Sequence, residues 1–243
     1  EWTEPWAAAV ELVHNATLIH DDFQDGDRVR RGQPTAWVRN GPGQAINLGD
    51  QMLMVPTQAI QRLQCDAAIK WSLSLALSSR ASATVAGQVE DLRFGPDSPW
   101  TWEQYISVVE GKTGHLLALP VEGSLLLAGF KPRKARDIAN LFLHVGVLYQ
   151  LQDDVLDLFG EKQREQSACD LYEGKVSALV VADSLLHPEE KGSLLQLLTA
   201  PREATCRAEV DETVQRFRDQ GALGLVIERI NSVKADFLDQ KWG

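Results

Sequence analysis

Apolar positions recur at three- and four-residue intervals along almost the whole chain. Trp6, Ala9, Val10, Val13, Thr17 and Ile19 set the first stripe, spaced as on one face of a helix. Ala67–Phe94, rich in Ala, Leu and Ser, predicts a long helix stopped by Gly95-Pro96. Thr101 and Gln104 have the spacing of a capping box and open a helix at Trp102. That helix reaches Gly111, pauses over Gly111-Lys112-Thr113-Gly114 and resumes to Gly129. A further helix is predicted from about Arg133 to Phe159, and three shorter ones between Lys175 and Lys241. No segment alternates between hairpin turns for long enough to predict a strand.

Two polar stretches interrupt this pattern. Gly26–Gln44 carries Arg28, Arg30, Arg31 and Arg39 among several Gly and Pro residues, and Gly160–Gly174 is rich in charged and small residues. Surface loops of that length are uncommon in a compact domain and are often functional. There is no Ser/Gly-rich linker, low-complexity tract or repeat of fixed period. The expectation is a single all-α domain over residues 1–243, a helical bundle. The sequence opens on Glu1 rather than Met and enters a helical pattern at once, so further N-terminal helices are expected upstream of it.

Composition narrows the function. Lys plus Arg is 24 and Asp plus Glu is 34, a net charge of −10. A chain this acidic lacks the basic face that displaces counterions from nucleic acid, and is poorly suited to anionic membrane surfaces. No run approaches the ~18 apolar residues of a transmembrane span. The three cysteines, Cys65, Cys169 and Cys206, form no CxxC pair. That rules against a disulfide scaffold or structural zinc site and fits a reducing, cytoplasmic setting. None of the five histidines forms an HExxH pair, which sets aside a zinc hydrolase.

The informative feature occurs twice. Asp21-Asp22-Phe23-Gln24-Asp25 and Asp153-Asp154-Val155-Leu156-Asp157 both place carboxylates at i, i+1 and i+4. On a helix these positions are expected to share one edge, where like charges repel. A single acidic cluster reads equally well as a solvated face. Two of identical spacing, each behind an apolar stretch (Ala16–Ile19 and Val145–Leu151), argue for a bound cation. Hard oxygen donors without thiolate or imidazole suit Mg²⁺, which keeps several waters and bridges carboxylates to substrate phosphates. Arg30-Arg31, Lys112 and Lys175 supply the cations that grip phosphate. Together these groups specify a substrate with a diphosphate head and an apolar tail.

With those residues in view, the chain resembles the trans-isoprenyl diphosphate synthases, the farnesyl and geranylgeranyl diphosphate synthase family. Leu18–Thr35 is similar to the family's first aspartate-rich motif with its trailing arginine pair. Gly87–Leu92 resembles the helix bearing a Gln and an Asp, and Gly111–Gly114 the Lys-Thr break. Tyr149–Gly160 is similar to the second aspartate-rich motif, with Tyr149 where Phe is usual, and Asp170–Leu179 resembles the closing loop.

The resemblance implies an isoprenoid synthase-type all-α bundle around a deep central cavity, usually a homodimer. It implies a Mg²⁺-dependent prenyltransferase, with about three ions, that condenses an allylic diphosphate with isopentenyl diphosphate head to tail. Asp21, Asp25 and Asp153 would then ligate Mg²⁺ directly, with Asp22, Asp154 and Asp157 supporting or ligating through water. Arg30, Lys112 and Lys175 would hold the allylic diphosphate and Arg31 the isopentenyl diphosphate. Thr113 and Gln150 would line the carbocation's path, with Gln88 and Asp91 nearby. In the family, aromatic residues just before the first motif stop growth at farnesyl. Here that face carries Thr17, Ala16 and Val13, which predicts geranylgeranyl diphosphate or longer.

Two departures stand out. The family's upstream Gly-Gly-Lys segment is not matched within residues 1–243, which hold no Gly-Gly, and would belong to the helices expected further upstream; neutral Gln166 replaces a lysine common in the loop before Asp170. They leave a non-catalytic partner subunit of a heteromeric synthase as one alternative reading. A class I terpene cyclase is another, although its second metal site would normally mix Asn, Ser and Glu.

Overall fold

Pro5, Pro42, Pro56 and Pro132 each lie in the first turn of a helix, where the missing N–H leaves no bond unmade and the fixed φ favours the helical start. In the computed structural model, which describes residues 3–159, 168–202 and 204–239, the elements follow in this order. α1 (Glu4–Gln24) leads through β1 (Val29–Arg30) and β2 (Gln33–Pro34) to α2 (Ala36–Asn40), α3 (Pro42–Met54), α4 (Pro56–Gln61) and α5 (Ala67–Arg93). α6 (Trp102–Val109) continues as a π-helical turn, Glu110–Gly114, into α7 (His115–Leu127). α8 (Pro132–Asn140), α9 (Leu143–Phe159), α10 (Cys169–Tyr172), α11 (Ala178–Leu186), α12 (Lys191–Thr199), α13 (Arg207–Asp219) and α14 (Ala222–Leu238) complete the order. Among the described residues no helix is long and apolar enough to cross a membrane.

The chain divides into two compact units. One holds the residues up to Ala83 together with His115–Phe142; the other holds Thr84–Gly114 and the chain from Leu143 onward. In the first, the N-terminal part of the predicted stripe of α1 is buried: Trp6, Ala9 and Val13 pack with Ile60, Leu73 and Leu119, while Val10, Thr17 and Ile19 are only partly covered. Trp6 packs closely against Gly123 of α7, where any side chain would collide with the indole.

A buried polar network crosses this unit. The Arg80 guanidinium donates from Nε to Glu122 Oε2 at 2.8 Å, from Nη2 to Asn140 Oδ1 at 2.8 Å, and from Nη1 to His115 Nδ1 at 3.0 Å. Arg80 and Glu122 are both almost fully enclosed. Burial and the facing Arg80 hold the His115 imidazole below its ordinary value of 6.5. A group depressed in this way binds a proton more readily in the unfolded chain, so its stability contribution is complete above pH 6.5 and is lost as pH falls through its folded value. Chemical denaturation at pH 7.5 and pH 5.5 is expected to show wild type losing more stability on acidification than His115→Asn.

In the second unit, Tyr105 and Val109 of α6, Leu151 of α9, Leu179 of α11, Phe217 of α13 and Val226 of α14 anchor one core. Thr101 caps α6 as predicted, its hydroxyl accepting from the Gln104 amide at 3.3 Å.

Several elements differ from the sequence reading. The predicted polar stretch Gly26–Gln44 contains a two-residue antiparallel ladder, α2 and the start of α3, because Pro42 initiates a helix and Arg31-Gly32 make a tight turn. The helix expected over Arg133–Phe159 is two, broken at Leu141-Phe142 after Asn140 has turned its side chain to Arg80. Among the described residues four α-helices rather than three follow Lys175. The pause at Gly111–Gly114 is a π-helical turn, not an interruption.

Candidate active site

The first carboxylate cluster sits where α1 ends. Asp25 caps the helix, its backbone N–H donating to Asp21 O at 2.8 Å. The chain then reverses through β1 and β2, with Val29 opposite Pro34 and Arg30 opposite Gln33. The two turn residues, Arg31 and Gly32, both have positive φ, 53° and 72°, as a two-residue hairpin requires. Asp27 O accepts from the Thr35 hydroxyl at 2.8 Å and from Trp37 Nε1 at 2.7 Å, which pins the loop to α2. This brings Arg30 back onto the helix end, where it pairs with Asp22 and lies 3.9 Å from Asp21. Burial raises the Asp22 carboxyl and the Arg30 hydrogen bond opposes that rise. Arg31 is left exposed at the turn.

The three acids do not share one environment as the spacing suggested. Successive helical residues point ~100° apart, so Asp22 is buried while Asp21 and Asp25 are partly open. The second cluster, on α9, is also divided but differs at its last position: Asp153 is partly open, while Asp154 and Asp157, the counterparts of buried Asp22 and partly open Asp25, are both buried. Asp154 Oδ2 accepts from the Tyr105 hydroxyl at 2.9 Å and from the Ala178 N–H at 2.7 Å, and Oδ1 accepts from Gln150 Nε2 at 2.8 Å. Burial pushes the Asp154 carboxyl up to about 6 against those three donors. Asp157 Oδ2 accepts from the Asp170 N–H at 3.1 Å.

The Lys-Thr break lies in the same unit as the second cluster. Gly87 of α5 meets the backbone of Gly111 and Lys112, and Gly146 of α9 meets that of Gly114; a Cβ on either glycine would overlap the other strand of backbone. These two close approaches fix the π-helical turn, an element often found at functional sites. Lys112 Nζ reaches Asp91 Oδ2 at 2.7 Å, one turn beyond Gln88 on α5. Thr113 follows in the turn and is half-buried. Lys175 pairs with Glu173 at 3.0 Å, and Glu173 also receives Arg202 at 3.3 Å. Gln166 lies outside the described residues. On α1, Val13 and Ala16 are fully buried, and the Thr17 hydroxyl donates to His14 O at 2.8 Å.

Among the described residues no three His, Cys, Asp or Glu side chains are grouped so as to hold a metal ion unaided. All-oxygen donors offered in small numbers on consecutive helical turns fit Mg²⁺, which is bound by one or two carboxylates while water and phosphate fill its remaining positions.

The model of the polyprenyl synthetase family matches residues 1–217. The chain belongs to that family. This polyprenyl synthetase-family chain is 35% identical over 197 residues to a short chain isoprenyl diphosphate synthase of Methanocaldococcus jannaschii, covering 80% of the chain and 60% of that relative's length. It is 31% identical over 224 residues to the geranylgeranyl diphosphate synthase of Methanosarcina mazei, covering 91% of the chain and 67% of the relative. It superposes on the Caulobacter crescentus polyprenyl synthase, crystallised with calcium and isoprenyl diphosphate, with a TM-score of 0.83 and 25% identity, covering 97% of this chain and 70% of that one. The isoprenoid synthase helical fold expected from the motifs is therefore the fold of this family member.

Sequence reasoning passed over Tyr105, Arg80 and the two glycine contacts. Tyr105 had one available signal: with Trp102 and Val109 it shares the apolar face of α6, and a hydroxyl buried there needs an acceptor.

Proposed function

We propose that this chain carries out Mg²⁺-dependent condensation of an allylic diphosphate with isopentenyl diphosphate, head to tail, giving geranylgeranyl diphosphate or a longer product. The observation that carries the reading is the duplicated acid cluster in which the outer carboxylates Asp21, Asp25 and Asp153 stay partly open while the inner ones are buried. Calcium and isoprenyl diphosphate in the Caulobacter relative support a hard divalent ion and a prenyl diphosphate as ligands.

Asp21, Asp25 and Asp153 would hold Mg²⁺, with Asp22, Asp154 and Asp157 behind them. Bound there, the ion supplies Lewis-acid stabilisation of the leaving diphosphate. Arg30, Lys112 and Lys175 would exchange their present carboxylate partners for phosphate oxygens and neutralise the charge that develops there. Arg31 would take isopentenyl diphosphate. Thr113 and Gln150 would line the path of the allylic cation, where exclusion of water protects it, with Gln88 and Asp91 nearby. The proton lost after carbon–carbon bond formation would pass to the departing diphosphate.

Product length rests on the α1 face below Asp21. Farnesyl and geranylgeranyl synthases both occur among the relatives, and the small side chains of Ala16 and Thr17 favour the longer product. Ala16→Phe is expected to shorten the product without abolishing turnover, read by mass spectrometry of the dephosphorylated alcohols. An unchanged length would place the stopper on another helix. Incubating the purified chain with Mg²⁺, isopentenyl diphosphate and geranyl or farnesyl diphosphate tests the reading as a whole. Farnesyl diphosphate as the sole end product would remove the length assignment, and no product from any primer would remove the activity.

A second copy of the chain is the proposed partner. Within the second unit, α5 exposes apolar side chains at four- and three-residue spacing, Val85, Val89 and Leu92. An uncharged seam of this period suits helix-to-helix pairing. Val89→Asp is expected to convert dimer to monomer in sedimentation velocity, while a monomeric wild type would contradict the assignment.

A further inference from the structure

We propose that Arg202 is a positioning residue for Lys175: by holding one oxygen of Glu173, it lets the lysine leave the other oxygen for a diphosphate without stranding an enclosed carboxylate. The inference rests on the reading that Lys175 binds the diphosphate of the substrate.

The backbone that carries the lysine is fixed. α10 is capped by Glu173, and Gly174 follows with a φ of 70°. The Gly174 N–H donates to Leu171 O at 3.3 Å and the Lys175 N–H to Asp170 O at 2.9 Å, the paired bonds of a helix end closed by a left-handed glycine. A Cβ on Gly174 would collide with the Leu198 carbonyl of α12, so the turn is also pinned against that helix. Lys175 can therefore change partners only by swinging its flexible four-carbon stem.

Its present partner is Glu173, with Nζ 3.0 Å from Oε2. Arg202, just beyond α12, takes the other oxygen, with Nη1 3.3 Å from Oε1. The Glu173 side chain is only 8% exposed, whereas those of Lys175 and Arg202 are 37% and 45% exposed. One enclosed anion is thus divided between two cations that solvent reaches. An enclosed carboxylate stripped of its countercharge is costly, and a lysine that alone supplied that charge would be held back from any other anion. With Arg202 in place, Glu173 stays paired at Oε1 while Lys175 turns to phosphate oxygens.

The test measures binding of inorganic pyrophosphate with Mg²⁺ to the full chain by calorimetry, with melting temperature followed in parallel. Arg202→Gln is expected to weaken binding about fivefold, the upper end of what one partly exposed ion pair contributes. In a Lys175→Met background, where no exchange takes place, the same substitution should change affinity by less than about twofold. A Glu173→Gln background should silence it likewise, because no carboxylate is left to strand. The long-range field of a lost positive charge would instead weaken binding equally in every background. An equal loss in all backgrounds, or no loss in the otherwise wild-type chain, would overturn the proposal. Should one background fail to fold, the other decides. Unchanged pyrophosphate affinity in Lys175→Met, or no binding by wild type, would overturn the reading of Lys175 as a diphosphate ligand, and so the two failures are distinguishable.

Discussion

Asp21→Ala or Asp153→Ala is expected to lower turnover by about 10²–10³, the scale of losing one preorganised electrostatic contact in a catalytic site. Stability should not fall with it. Each of these carboxylates is partly open, and each sits beside further acids whose repulsion its removal relieves. At Asp21 the neighbouring Arg30 keeps its pairing with buried Asp22, so the hairpin that carries Arg30 stays anchored. The pair of measurements is steady-state turnover at saturating Mg²⁺ and thermal melting. Near-normal turnover in either variant would sink the metal assignment, and a large fall in melting temperature would recast that residue as structural.

The largest stability effect is expected at Arg80. Its guanidinium is buried against Glu122 and also serves Asn140 and His115. Without Arg80, buried Glu122 keeps, among the described residues, only the exposed Arg136, 3.5 Å away, and breaking a buried pair costs about 3–5 kcal/mol. Arg80→Ala should therefore destabilise by about that amount in chemical denaturation, or prevent folding. Arg80→Lys should be intermediate, because an ammonium keeps the charge but cannot match the planar fork that reaches three acceptors. Replacing both partners, Arg80→Met with Glu122→Leu, should recover much of the loss, since it leaves no uncompensated charge inside. A double variant as unstable as Arg80→Ala would show that the contacts to Asn140 and His115, not the ion pair, dominate.

These residues show where sequence legibility ends. Helical periodicity located α1, and apolar content bounded by cap and breaker residues located α5 and the α6–α7 stretch although Arg80, Thr84 and Glu122 interrupt their buried faces; the acid spacing marked both clusters. Arg80 and Glu122 are 42 residues apart in the chain; nothing local distinguishes a buried ion pair from two solvated charges. The break between α8 and α9 was equally hidden, because the periodic pattern runs through Leu141-Phe142. The i, i+1, i+4 spacing gave the location of six carboxylates but not their division into open and buried sets. That division depends on Tyr105, Ala178 and Arg30, which reach the acids from elsewhere in the chain. The π-helical turn was visible only as glycines around Lys112. Its cause is the approach of Gly87 and Gly146, a long-range packing event.

The central claim is that two acid clusters recruit Mg²⁺ so that an allylic diphosphate ionises and couples to isopentenyl diphosphate. Its most direct measurement is incorporation of radiolabelled isopentenyl diphosphate into acid-labile prenyl product by the purified chain, with farnesyl diphosphate as primer, in matched Mg²⁺ and EDTA samples. One pyrophosphate released per isopentenyl unit incorporated with Mg²⁺, and neither release nor incorporation with EDTA, is the predicted result. No incorporation with Mg²⁺, or incorporation that persists in EDTA, would contradict it.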